Sequence, residues 1–178
     1  NRPTEVTYPQ DVDGERKKLI PRYNRAGALE AVALNDADYV QHIAYNAKGQ
    51  RVLIAYGNGV MTRHAYDPQT FRLARLRTDR VREPGFLRRF VDLILGGSTD
   101  TITFESTGSA IQEFTYTYDL AGNITTIDER TPNCGVTDSV EGRDRLLRRF
   151  EYDPIYRLTL ATGRACRDIG VPRGLDDD

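Results

Sequence analysis

Five times along this chain a tyrosine is followed at once by Asn or Asp and, a few residues on, by a residue suited to reversing the chain. The copies are Tyr23-Asn24-Arg25-Ala26-Gly27-Ala28-Leu29, Tyr45-Asn46-Ala47-Lys48-Gly49, Tyr66-Asp67-Pro68-Gln69-Thr70-Phe71-Arg72-Leu73, Tyr118-Asp119-Leu120-Ala121-Gly122-Asn123-Ile124 and Tyr152-Asp153-Pro154-Ile155-Tyr156-Arg157-Leu158. From tyrosine to tyrosine the steps are 22, 21, 52 and 34 residues, so the first three copies are regular and the later ones are spread by insertions. A period of this size is the mark of a repeat architecture. An Asn or Asp side chain can accept a hydrogen bond from the backbone two residues on, and Gly27, Gly49 and Gly122 can take the positive φ that closes a hairpin. Each copy therefore predicts a turn between two strands.

The segments between the turns have the period of strands. Residues 60–66 alternate Val60, Thr62, His64 and Tyr66 on one face with Met61, Arg63 and Ala65 on the other. Residues 111–118 do the same, with Phe114, Tyr116 and Tyr118 opposite Glu113, Thr115 and Thr117. The same reading places strands near residues 5–8, 19–23, 29–34, 39–45, 51–56, 101–105, 124–127, 146–152 and 157–161, although the short apolar run 29–34 fits a helix as well. The expected class is all-β: antiparallel β-hairpin repeats forming a curved sheet. Residues 1–18 read as a leading segment, mostly loop, 19–164 as the repeat section with insertions near 79–110 and 129–144, and 165–178 as a tail. After Leu76 the repeat lapses, and Phe86, Leu87, Phe90, Val91, Ile94 and Leu95 recur at helical spacing, which predicts a short helix within residues 79–100, with a strand as the alternative.

These turns resemble the YD-repeat (Rhs) family, and the run Tyr56-Gly57-Asn58-Gly59-Val60 through Tyr66-Asp67-Pro68-Gln69-Thr70-Phe71-Arg72-Leu73 looks most like the B components of bacterial insecticidal toxin complexes. The resemblance covers most of residues 20–164. It implies a strand shell, secreted and hollow, that encloses a toxic polypeptide. Its partners would be neighbouring repeats of the same or a partner shell protein and the enclosed effector. The family's C components carry a self-cleaving aspartyl protease with an Asp-Pro-x-Gly motif; Tyr66-Asp67-Pro68-Gln69 and Tyr152-Asp153-Pro154-Ile155 lack its glycine, so that activity does not carry over. Phe71 and Tyr156 stand near the turn position that is glycine elsewhere. The expectation for these two turns is a different conformation, helped by the fixed φ of Pro68 and Pro154.

Composition narrows the function classes. With 39% hydrophobic and 29% charged residues the chain suits a sheet with one packed and one wetted face. A formal net charge of −1 gives no overall footprint for nucleic acid, and the local run of arginines from Arg72 to Arg89, facing Asp79 and Glu83, reads as a solvated face. Cys134 and Cys166 are far apart and lack partners at metal spacing, and His42 and His64 fall on opposite faces of a regular repeat, so neither a metal site nor a cofactor is expected. Asp67, Asp119 and Asp153 share one repeat position, which makes them turn formers rather than catalysts. Gly57-Asn58-Gly59 has no following lysine and is not a phosphate loop. No signal or membrane-length apolar run is visible, the pattern begins and ends in mid-course, and the chain reads as part of something longer. The sequence thus favours a non-enzymatic wall that contains an effector, with an extracellular adhesion module, its tyrosine rows facing sugars, as the alternative.

Overall fold

Each tyrosine-led turn joins two consecutive antiparallel strands in the computed structural model, which describes residues 2–82, 105–136, 139 and 141–163. The strands are β1 (Val6–Gln10), β2 (Arg16–Tyr23), β3 (Leu29–Leu34), β4 (Ala37–Tyr45), β5 (Arg51–Tyr56), β6 (Val60–Tyr66), β7 (Leu73–Arg82), β8 (Glu105–Ser106), β9 (Gln112–Tyr118), β10 (Ile124–Glu129), β11 (Leu146–Tyr152) and β12 (Leu158–Ala161). The described residues contain no helix, and the fold is an antiparallel all-β sheet. The chain divides into two compact units, Asn1–Thr115 and Tyr116–Asp178, where the repeat pattern had suggested a single section from 19 to 164.

In the first unit the hydrogen-bonded order is β1-β2-β3-β4-β5-β6-β7-β9, and β8 pairs with the far end of β7. A register shift accompanies the tyrosine at β2/β3, β4/β5 and β6/β7, between Arg22 and Tyr23, Ala44 and Tyr45, and Ala65 and Tyr66. That is the bulge expected when a left-handed residue closes a short hairpin loop. The other turns are tighter. Gly57 donates its N–H to the Tyr39 carbonyl at 3.0 Å, and a Cβ there would lie 1.6 Å from the Asp38 carbonyl oxygen, so only glycine fits against β4.

The packed centre of this unit uses small and medium side chains: Ala31 and Ala33 on β3, Ile43 on β4, Ile54 and Ala55 on β5, and Met61 on β6. Thr62 and Thr78 sit directly opposite on β6 and β7, and their hydroxyls meet at 3.0 Å, which satisfies two buried polar groups at once. In the second unit β10, β11 and β12 follow in order, with Leu146 and Cys134 buried. The Cys134 thiol donates to the Glu129 carbonyl at 3.3 Å.

The strand read near 5–8 is β1, which pairs with the start of β2, Val6 opposite Leu19 and Gln10 opposite Arg16, around a turn at Asp11 whose side chain accepts from the N–H groups of Asp13 and Glu15. Residues 29–34 are strand and not the alternative helix, because each side of the run has a partner, Leu34 facing Leu19 and Val32 facing Val40. The strand that leaves the Tyr66 turn runs past Leu76 to Arg82, against β6 and β8. The helix read within 79–100, the tail 165–178 and Cys166 lie outside the described residues, as does most of the strand read at 101–105.

Among the described residues β1 pairs only with β2 and β12 only with β11, and every residue of both is exposed. A bare strand edge is a template for a further strand. Sedimentation of the isolated chain should therefore show weight-average mass rising with concentration; a concentration-independent monomer would show that both edges are blunted.

Candidate functional site

The turns are built by backbone and side-chain hydrogen bonds that repeat position by position. In four copies the N–H of the residue after the tyrosine donates to the carbonyl four residues on: Asn24 to Ala28, Asn46 to Gln50, Asp119 to Asn123 and Asp153 to Arg157. The N–H of the residue three further on returns the bond, Gly27 to Asn24, Gly49 to Asn46, Gly122 to Asp119 and Tyr156 to Asp153. The side-chain oxygen adds a second clamp, accepting from Ala28 at Asn24, from Lys48 and Gln50 at Asn46, from Gly122 and Asn123 at Asp119, and from Ile155 and Arg157 at Asp153. In the Tyr66 copy the loop is one residue longer, running from Asp67 to Arg72 with Pro68 in its first position, and Asp67 accepts from Gln69 and Thr70.

These bonds fix the charge of the turn acids. The Thr70 backbone and hydroxyl hold the Asp67 carboxyl below the ordinary carboxylate value, the Asn123 amide does so for Asp119, and the Arg157 backbone and guanidinium do so for Asp153. Each carboxylate is ionised and spent on its own loop, which is a structural role and leaves it no proton to donate.

Phe71 and Tyr156 were expected to need a different conformation. The Phe71 loop does differ, being one residue longer, while the Tyr156 loop does not; in both the residue itself is left-handed, with φ 60° at Phe71 and 64° at Tyr156, in the same region as Gly27 and Gly49 at 78° and 77°. The Tyr156 loop makes the glycine loop's own bonds, with an aromatic residue in the strained place. Phe71 is held from the side by the preceding turn, where Lys48 Nζ lies 3.3 Å from its ring centroid and Gln50 Nε2 donates to its carbonyl at 2.7 Å.

The tyrosines do something the sequence reading missed. Tyr45 donates its hydroxyl to the Leu29 carbonyl at 2.8 Å, Tyr66 to Arg51 at 2.9 Å and Tyr152 to Ile124 at 2.9 Å. Each acceptor is the first residue of the strand that leaves the preceding turn, six positions after that turn's own tyrosine. Tyr23 has no preceding copy and donates instead to Pro3 at 3.3 Å. The common offset to Leu29, Arg51 and Ile124 was present in the sequence, but nothing in local propensity marks a carbonyl as an acceptor.

One face of β6, β7 and β9 in the first unit carries a charged network where a solvated row was expected. Asp79 is fully buried, opposite Met61, and accepts from Arg63 Nη2 at 2.8 Å and from Arg77 Nε at 2.9 and 3.1 Å. Burial favours the neutral acid there, and the two guanidiniums outweigh it, so the carboxyl is held below its ordinary value. Glu113 accepts from Arg75 and, at 3.5 Å, from Arg77. His64 points to the other face; loss of water, aided by Arg51, lowers its pKa, and its buried Nδ1 has no hydrogen-bond partner. Among the described residues no group of His, Cys, Asp or Glu could hold a metal ion.

With this geometry the chain was compared with known proteins. No family model matches it. Toxin subunit YenC1 of Yersinia entomophaga is 29% identical over 172 residues, covering 93% of this chain and 15% of the relative. The crystal structure of TcdB2-TccC3 matches with a TM-score of 0.60 at 22% identity, and the Photorhabdus luminescens Tc holotoxin pore with 0.58 at 22%, each over 89% of this chain. In sequence the chain is similar to a toxin subunit, and it shares the fold of these toxin-complex structures. It spans 15% of the length of YenC1 and 7% of those solved chains.

The positive-φ positions of this chain give a paired prediction. Gly49→Val, which meets no other atom in the way, should lose about 1 kcal/mol or more from strain alone. Tyr156→Gly should gain about 0.5 kcal/mol, because relief of the left-handed penalty exceeds the added chain entropy of glycine. Urea melts that move both variants in the same direction would contradict the loop conformation.

Proposed function

We propose that this chain is a stretch of wall in a YD-repeat shell, secreted as part of a bacterial toxin complex, that encloses a toxic effector polypeptide and performs no chemistry itself. The observation that carries this reading is the recurring bond from the Tyr45, Tyr66 and Tyr152 hydroxyls to the strand start of the preceding copy. A wall must extend by adding like units without changing its rules. A hairpin that brings its own turn clamp, and a hydroxyl that fastens it to the hairpin before, meets that need.

A non-enzymatic role is supported by what the acids are doing. Asp67, Asp119 and Asp153 are bound into their loops, and Asp79 and Glu113 into arginine contacts. The similar structures are of TcdB2-TccC3, and by analogy this chain's partners are further shell strands and an enclosed effector. The B-type assignment rests on the run from Tyr56 to Leu73.

Protease protection tests the reading. The native assembly containing this chain, isolated from its producing cells and treated with trypsin, should retain a second polypeptide intact until the assembly is opened with denaturant. Cleavage of every other polypeptide before opening, together with specific binding to a glycan array, would replace containment with adhesion.

A further inference from the structure

The arginine face of the first unit has more cation than its own carboxylates neutralise. Arg63 on β6 and Arg77 on β7 are directly opposite, and Glu113 on β9 is directly opposite Arg77; Arg75 lies two residues from Arg77 on the same face, opposite Ala65. Like charges facing each other across a strand pair are unfavourable unless something bridges them. Asp79 bridges Arg63 to Arg77, and Glu113 bridges Arg77 to Arg75. Among the described residues of this face, three guanidiniums thus share two carboxylates, which leaves one positive charge over.

The surplus charge borders an opening. Arg63, Arg75 and Arg77, with Ala65 as floor, line a cavity of about 340 Å³. Opposite Arg75 the Ala65 side chain is only a methyl group, which is what leaves the space. The Arg63 and Arg75 side chains are each 48% exposed, while the carboxylates that pin them are buried or nearly so, at 0% for Asp79 and 15% for Glu113. Each guanidinium carries five N–H donors in a rigid fork, and the contacts to Asp79 and Glu113 use only some of them. The cations are therefore held from beneath with donors to spare beside the cavity, so little side-chain entropy remains to be lost when an anion arrives.

We propose that this cavity binds a carboxylate of an acidic polypeptide segment, an Asp or Glu side chain seated among Arg63, Arg75 and Arg77 over Ala65. A carboxylate matches the guanidinium fork, and its single charge matches the single surplus cation. A phosphate monoester, at about −2, would overcharge the cluster. His64 also lines the cavity, and no phenylalanine, tyrosine or tryptophan ring does so to stack a nucleobase. Whether the chain walls a shell has no bearing on whether this site fills.

The test uses the full 178-residue chain with an N-acetylated tetraglutamate peptide, its tetraglutamine counterpart and inorganic phosphate. Arginine Nε–Hε NMR signals of Arg63, Arg75 and Arg77 should shift with tetraglutamate and stay in place with tetraglutamine. Arg75→Gln, which leaves both Asp79 contacts intact, should weaken the titration by about tenfold, the loss of one charge-assisted contact. Ala65→Leu changes no charge and fills the floor, so it should abolish the shifts; circular dichroism checks that both variants keep the strand signal. Shifts that are equal with tetraglutamine, or that survive Ala65→Leu in a folded protein, would overturn the site. Tighter binding of phosphate than of tetraglutamate would overturn the carboxylate assignment.

Discussion

One hydrogen bond organises this chain: a tyrosine hydroxyl donating to the carbonyl that opens the previous copy's return strand. It occurs at Tyr45, Tyr66 and Tyr152, at 2.8 to 2.9 Å each time. It joins strands that already pair, β3 with β4, β5 with β6 and β10 with β11, at the end of each pair and beyond the last register partners. Its net worth is about 0.5–1.5 kcal/mol. In a repeat array the fastening between neighbours decides how far order propagates, so a small term repeated at each step matters more than its size suggests. It also explains why the position is tyrosine and not phenylalanine, since the ring alone would fill the same space.

The turn chemistry follows from this fastening. For the hydroxyl to land on the right carbonyl, each loop must return the chain in a fixed register, and the Asn or Asp clamp with a left-handed residue provides it. The register shifts at Tyr23, Tyr45, Tyr66 and Tyr152 are the visible trace of that geometry. Where glycine is missing the closing residue stays left-handed and bears the strain. At Phe71 the contacts from Lys48 and Gln50 offset part of it; at Tyr156 the Asp153 carboxylate, bonded to the Arg157 backbone and to its guanidinium at 2.7 Å, tightens the loop instead.

The strands and their turns were legible in the sequence because both signals are local. Alternation alone gave 51–56, 60–66 and 146–152 to the residue. What stayed open depends on partners far along the chain. The choice of strand over helix at 29–34 is settled by β2 and β4 on either side, and the extension of the strand read near 5–8 to Gln10 by β2. The left-handed Phe71 and Tyr156 were misread because propensity opposes them and only the closed register enforces them. The charged face was misread for a related reason: Asp79 looks like any surface acid until Met61 is placed opposite and two guanidiniums are brought to it. In turn, the arginines read as a solvated row became a network held from below.

The central claim is that the hydroxyl, not the ring, fastens the copies. Removing one oxygen tests it directly, in Tyr45→Phe for the first unit and Tyr152→Phe for the second, with Tyr39→Phe, whose residue is 60% exposed, as control. Urea unfolding should show Tyr45→Phe and Tyr152→Phe each losing about 1 kcal/mol with an unchanged slope, while Tyr39→Phe stays with the parent. If all three variants unfold with the parent, the bond to the preceding copy contributes nothing and the rings alone hold the repeats together.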